Sequence, residues 1–354
     1  MKPSFDLTCW YINQRRVAEV VGDQVILNEI APISKAFADD AFQKGHATHS
    51  AYKRLISGYL HQNDVPTLGQ LVSRGICEPG MAFTHYSNFY FKGLPEARSK
   101  TGGNGPAPAL AHIGLESIGD PRRLVCRFHP DHLTSNSAWV ELSGHRRMLI
   151  LGLITETTDE EVKAVPYVIA NPAPNILDGG PGASLWTNRL EIHAGQVDQF
   201  KKVGDNPLRL HKPDLEVVRG ISENEVKHAF ADLLGEPEIP KDWGGERSDL
   251  FSTQVTISGN QYSTAFAFKG PAKFAPMSLA SLGKNGDQID RLFSEPAEFL
   301  VLQHCNSVDN AVRGTMRAYA NQMNNLRLFM IIDRYDTLRV LNAYSKCGVD
   351  FGDR

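Results

Sequence analysis

Apolar residues recur along this chain at two different periods, and the clearest stretch lies toward the C-terminus. Across 222–234 (SENEVKHAFADLL), Val226, Ala229, Phe230, Leu233 and Leu234 make one stripe at helical spacing. Ser222 and Glu225 have the spacing of a capping box, and Gly235 supplies the stop. Two β-rich runs follow, Asp249–Ile257 and Gln261–Phe268, around a Gly259-Asn260 turn. Gly286–Phe293 reads as a short helix and Phe299–Gln303 as a short, wholly apolar strand. In Asp309–Leu326, Val312, Met316, Tyr319 and Met323 mark the buried face of a long helix. Leu328–Ile332 and Leu338–Ala343 read as closing strands. The expected order is helix, two adjacent strands, helix, strand, helix, strand.

The N-terminal part reads as mixed α+β. Val17–Leu27 places β-branched runs on both sides of Gly22-Asp23, which predicts a hairpin. Ile33–Ala41 and Tyr52–Tyr59 are expected as short helices. Trp139–Leu142 and Arg147–Ile154 are expected as strands on either side of Ser143-Gly144, with Tyr167–Ala170 a further strand. Ser99–Pro108 and Asn171–Gly182 are rich in Gly and Pro and read as loops. Pro207 and Pro213 interrupt the pattern again. The main boundary is expected there, with 1–210 a recognition or regulatory region and 215–354 a second domain.

Composition narrows the classes. The chain has 354 residues and a net charge of −3, which suits two domains and excludes binding driven by bulk positive charge. It leaves open a nucleic-acid enzyme whose metal-holding carboxylates lower the net charge. Five cysteines without a CxxC pair favour a reducing compartment over a disulfide scaffold. Met1–Asp6 is polar with no apolar leader behind it, and the longest apolar run, near Met148–Ile154, is too short to span a bilayer, so a cytoplasmic protein with no membrane partner is expected. No P-loop, dinucleotide fingerprint or G-x-S-x-G elbow occurs, which weighs against the common ATPases, dinucleotide enzymes and serine hydrolases. Cys126, His129 and His132 give C-x-x-H-x-x-H, a weak zinc candidate interrupted by Pro130.

The stretch DWGGERSDLFSTQVTISGNQYSTAFAFKG (242–270) concentrates the chemistry. Asp249 opens the first hairpin strand and Lys269 ends the second. A three-residue turn would set them directly opposite each other on one face, whereas a two-residue turn would move Lys269 to the other face. A carboxylate beside a lysine suits metal-assisted phosphodiester cleavage. The acid binds a hard cation, and the lysine orients water or balances phosphate charge. Glu246, behind a Gly-Gly turn, is the first choice for a second ligand.

Helix, hairpin, helix and strand in this order, with Asp249 and Lys269 so placed, resemble the PD-(D/E)xK nuclease superfamily, the restriction-endonuclease-like fold. The resemblance covers roughly 222–345 and rests on pattern rather than on a long motif. It implies an α/β fold with an αβββαβ core around a mixed central sheet. By the same resemblance Asp249 matches the metal-binding aspartate and Lys269 the lysine. Ala267 occupies the usual acid position, so Glu246 would be a migrated ligand. Glu225 matches a first-helix glutamate of resolvase-like members, although its capping-box role with Ser222 competes. Gln303 falls where some members carry a polar residue near the site. Arg313 and Arg317, one turn apart on the helix at Asp309–Leu326, suit phosphate contact, although a solvated helix face is the stronger explanation. The reading is a metal-dependent nuclease using Mg²⁺ or Mn²⁺, with DNA the expected substrate ahead of RNA. The resemblance also implies a setting in microbial anti-phage defence, with a homodimer or a protein partner left open. The alternative is a catalytically degenerate nucleic-acid-binding or sensor protein on the same fold, which Ala267 favours.

Overall fold

The computed structural model describes residues 5–94, 109–174, 190–205, 208–237, 239, 247–282 and 287–352. The chain forms two compact units. The first comprises Met1–Glu116, Asp120–Thr187 and Asn321–Leu326, and the second comprises Ser117–Gly119, Asn188–Ala320 and Arg327–Arg354. The second unit therefore takes in sequence well before the expected boundary at 210–215, and it lends Asn321–Leu326 to the first.

The first unit is built on β1 (Phe5–Ile12), β2 (Ala82–Phe89), β3 (Ala109–Gly114), β4 (Arg123–Phe128), β5 (Arg146–Thr157) and β6 (Glu161–Pro174). They form one sheet in the order β2-β5-β6-β4-β3, with β1 also paired to β6. All pairs are antiparallel except β4 with β6. Helices α1 (Gln14–Val21), α2 (Asp23–Ala36) and α3 (Ala41–Gln62) join this sheet in one core, where Val17, Ile26, Tyr52, Ile56 and Leu60 meet Leu7, Leu149, Leu151 and Val168. Two short helices complete the unit, α4 (Leu68–Ser73) and α5 (Asn136–Ser143).

Two expectations in this unit are corrected. Val17–Leu27 is no hairpin. Asn13 caps α1 by accepting from the Arg16 amide, and Gly22 at φ 97° joins α1 to α2. Burial of Val17 and Ile26 against the sheet overrides the β preference of their branched side chains. Trp139–Leu142 is helical, not extended, because Ser135 caps α5 by accepting from the Ala138 amide. Arg147–Ile154 and Tyr167–Ala170 do lie in strands, β5 and β6.

The second unit carries α6 (Lys201–Asp205), α7 (Glu223–Leu234), β7 (Leu250–Ile257), β8 (Asn260–Lys269), α8 (Gln288–Phe293), β9 (Phe299–His304), α9 (Asn310–Ala320), β10 (Leu328–Ile332) and α10 (Arg334–Ala343). Its four strands run in the order β10-β9-β8-β7. The β7–β8 pair is antiparallel, and β8–β9 and β9–β10 are parallel. This is a mixed α/β layer with two successive strands, rather than three, ahead of the next helix. Leu338–Ala343, expected as a strand, belongs to α10, whose N-cap Asp333 accepts from the Tyr335 and Asp336 amides. The long helix expected over Asp309–Leu326 stops at Ala320. Among the described residues no helix is long and apolar enough to cross a membrane.

Candidate functional site

The hairpin decides where Asp249 and Lys269 stand. Its turn has two residues, Ser258 and Gly259, both at positive φ (52° and 76°), and Ile257 pairs with Asn260. That turn alone would put Lys269 on the wrong face. The register then shifts between Ser252 and Val255, so that Leu250 pairs with Phe266. Asp249 stands just outside the ladder. Its amide donates to the Phe266 carbonyl (2.8 Å), and its Oδ2 accepts from the Phe268 amide (2.6 Å). The expectation that Asp249 lies directly opposite Lys269 is therefore corrected: its carboxylate sits on the residue before Lys269.

Glu225 is corrected as well. Its Oε2 accepts from the Ser222 amide (2.8 Å) and hydroxyl (2.7 Å), and these bonds hold its carboxyl below the usual range. The capping box thus occupies Glu225, and the other first-turn acid takes the position near the strands. Glu223 Oε2 accepts from the Gly270 amide at 2.7 Å. Helix and strand approach so closely that a Cβ on Gly270 would stand 2.6 Å from the Glu223 Cβ, which only glycine avoids. Sequence reasoning missed Glu223, although a signal existed: once Glu225 is committed to Ser222, the remaining acid of the first turn is the one free to reach the sheet.

Gly270 continues β8 in extended conformation (φ −82°, ψ −174°). Amides two residues apart on an extended strand point to the same side and lie roughly 7 Å apart at the usual rise per residue. Asp249 and Glu223 therefore sit on the two amides that flank Lys269. Lys269 is partly buried and pairs with His304 of β9. His304 Nδ1 lies 3.2 Å from the Lys269 carbonyl, which also accepts from the Cys305 amide at 3.0 Å. Burial pushes the Cys305 thiol up to about 11, with the nearby Glu223 carboxylate acting in the same direction.

Gln303 is not part of this group. It pairs with Phe268, so it faces away from Lys269, and its Nε2 donates to Thr337 Oγ1 of α10 at 3.0 Å. Glu246 lies outside the described residues. Arg313 and Arg317 both pair with one carboxylate, Glu191, the Arg317 contact being 2.9 Å. Burial lowers the pKa of Arg317. The two arginines thus form an internal clamp that offsets part of the charge expected to face phosphate.

The zinc candidate does not assemble. Cys126 is fully buried in β4 with its thiol pushed up to about 12 by burial, which opposes the thiolate zinc requires. His129 pairs with Asp131, and His132 stands edge-on to Tyr11. Among the described residues no three His, Cys, Asp or Glu side chains group as metal ligands. Two carboxylates beside Lys269 nevertheless match the one or two that Mg²⁺ usually takes from a protein, with water and substrate phosphate completing its shell. No family model, curated protein or solved structure matches the chain.

Proposed function

We propose that the second unit is a metal-dependent nuclease acting on DNA. The observation that carries this reading is the pair of carboxylates, Asp249 and Glu223, seated on the amides on either side of Lys269. A hard cation takes carboxylate oxygens as ligands, and a phosphate is stabilised by a cation or an ammonium beside it. In this reading Asp249 and Glu223 hold Mg²⁺ or Mn²⁺, which when bound would offset charge on the scissile phosphate. Lys269, whose backbone is held by the pairing of β8 with β9, donates to a phosphate oxygen or to the attacking water. Glu246 remains a candidate third ligand. The first unit would recognise substrate or control access, in a setting such as anti-phage defence.

The test uses the full chain with plasmid DNA, single-stranded DNA and RNA in Mg²⁺, Mn²⁺ or excess chelator. Cleavage of DNA that stops with chelator is expected. Asp249→Asn, Glu223→Gln and Lys269→Met should each slow it by about a hundredfold or more, equivalent to roughly 2.7 kcal/mol of barrier. Cleavage that survives Asp249→Asn and Lys269→Met together removes the assignment. One observation favours a second reading, a binding or sensor protein: Ala267, at the usual acid position, is fully buried and supplies no ligand. DNA retained in a mobility-shift assay with no cleavage in either metal would select that reading.

A further inference from the structure

A second lysine lies beneath the same cluster. Lys227 is on α7 and only 2% exposed, a burial that lysines reach almost only when a carboxylate partner is at hand. Its place on the helix says which way it faces. Glu223 meets Gly270 at one end of the stripe, and Phe230 meets Phe268 farther along, with ring centroids 5.7 Å apart. Lys227 falls between these two anchors, four residues after Glu223 and three before Phe230, on the face turned to the sheet. Both anchors are on the same short segment of β8 whose amides hold the two carboxylates. A glutamate one turn ahead of a lysine is also the favourable helical order for the pair.

We propose that Lys227 is a positioning residue of this site, its ammonium serving as the counter-charge that keeps the Glu223 and Asp249 carboxylates seated on the Gly270 and Phe268 amides. Two acids brought so close repel each other, and Lys269 approaches from the opposite face of β8, since Phe268 faces α7. A buried cation on the α7 side balances the pair from within. Among the described residues, nearby ionisable groups on the packed elements include Cys305, after β9, Cys347, whose thiol meets the Glu225 carbonyl, and Asp198, whose carboxylate is already held by the Ser258 and Gly259 amides. The inference rests on the reading of the cluster as a site only for its effect on cleavage; the seating of the carboxylates is tested separately.

Amide exchange in the full-length protein reads that seating directly. In Lys227→Met, exchange at Phe268 and Gly270 should accelerate at least about tenfold, the expected loss of a hydrogen bond to a charged group, while Lys227→Arg stays close to the parent. Unchanged exchange in Lys227→Met, or equal acceleration in Lys227→Arg, overturns the proposal. If Lys227→Met does not fold, the double variant Glu223→Gln/Lys227→Met decides. Folding of the double variant supports a charge partnership, and its failure to fold overturns it. Where the parent cleaves DNA, Lys227→Met should lower kcat more than it changes KM, with partial recovery in Lys227→Arg; full activity in Lys227→Met also overturns the proposal. A parent that cleaves nothing defeats the nuclease reading and leaves the exchange result to decide on Lys227.

Discussion

The two sheets of this molecule place their carboxylates differently. In the first unit ion pairs such as Arg123–Glu161 at 2.7 Å and Lys163–Glu156 at 2.9 Å stay near water, while Asp120 is buried against Arg122 at 2.6 Å and His85 is buried within the sheet. In the second unit two carboxylates reach the carboxyl end of β8, where Asp249 and Glu223 accept from the Phe268 and Gly270 amides on either side of Lys269. Parallel strands β8, β9 and β10 end on the same side, so the segments that follow them gather at one edge. The strands of the first unit are antiparallel except for β4 with β6, so their ends are divided between the two sides of the sheet.

The largest test of this contrast is to remove one core side chain from each unit. Phe230 is fully buried and touches both Phe200 and Phe268. Phe230→Ala should cost about 3–5 kcal/mol in urea unfolding and also release Glu223 from Gly270, because the same helix carries both contacts. Leu151→Ala, in the core of the first sheet, should cost about 2–5 kcal/mol and leave the amide protection of Phe268 and Gly270 intact. Equal loss of that protection in both variants would mean that the units open together and that the contrast is not energetic.

His85 gives the first unit an acid sensitivity of its own. Burial lowers its pKa from 6.5 to about 4, and its Nε2 has no hydrogen-bond partner. The unfolded chain takes up this proton as pH falls through 6.5, while the folded chain resists it until about 4. Stability is therefore full above pH 6.5 and declines between 6.5 and 4, by on the order of 3 kcal/mol. His85→Leu should flatten that slope for amides of β2 and β5 and leave those of β8 unchanged. A slope that persists in the variant would assign the acid sensitivity to other groups.

The same contrast explains what was legible in the sequence. Helix α7 could be read from its apolar stripe, its capping box and its terminal glycine, all of which are local signals. The hairpin was legible as two strands. Its register was not, because a two-residue turn and a later shift near Ser252 together set it, and only the turn leaves a mark in the sequence. Asp249 and Lys269 were found as types in the right neighbourhood, but their partners were missed. Glu223 and Lys227 look like ordinary residues of an amphipathic helix until the sheet beneath them is known. In the first unit α1, the start of α2 and α5 were read as extended segments because short β-branched or aromatic runs carry no period of their own, and the caps of α1 and α5, Asn13 and Ser135, were the informative residues.

The smallest predicted effect bears on the arginines of α9. Glu191 is nearly buried at 11% exposure and holds Arg313 and Arg317, which are 34% and 45% exposed. Pairs this open to water contribute about 1 kcal/mol or less each, so Glu191→Gln should lower stability only slightly. Its effect on ligand binding should be larger in kind. With the carboxylate neutralised, both guanidinium groups lose their anionic partner and become available to an outside anion. If α9 meets nucleic acid, DNA affinity should rise, and the dependence of log affinity on log salt should steepen by up to roughly two phosphate contacts. Arg313→Gln/Arg317→Gln in the same background should remove that gain. An affinity that does not respond to Glu191→Gln would show that the clamp is purely internal.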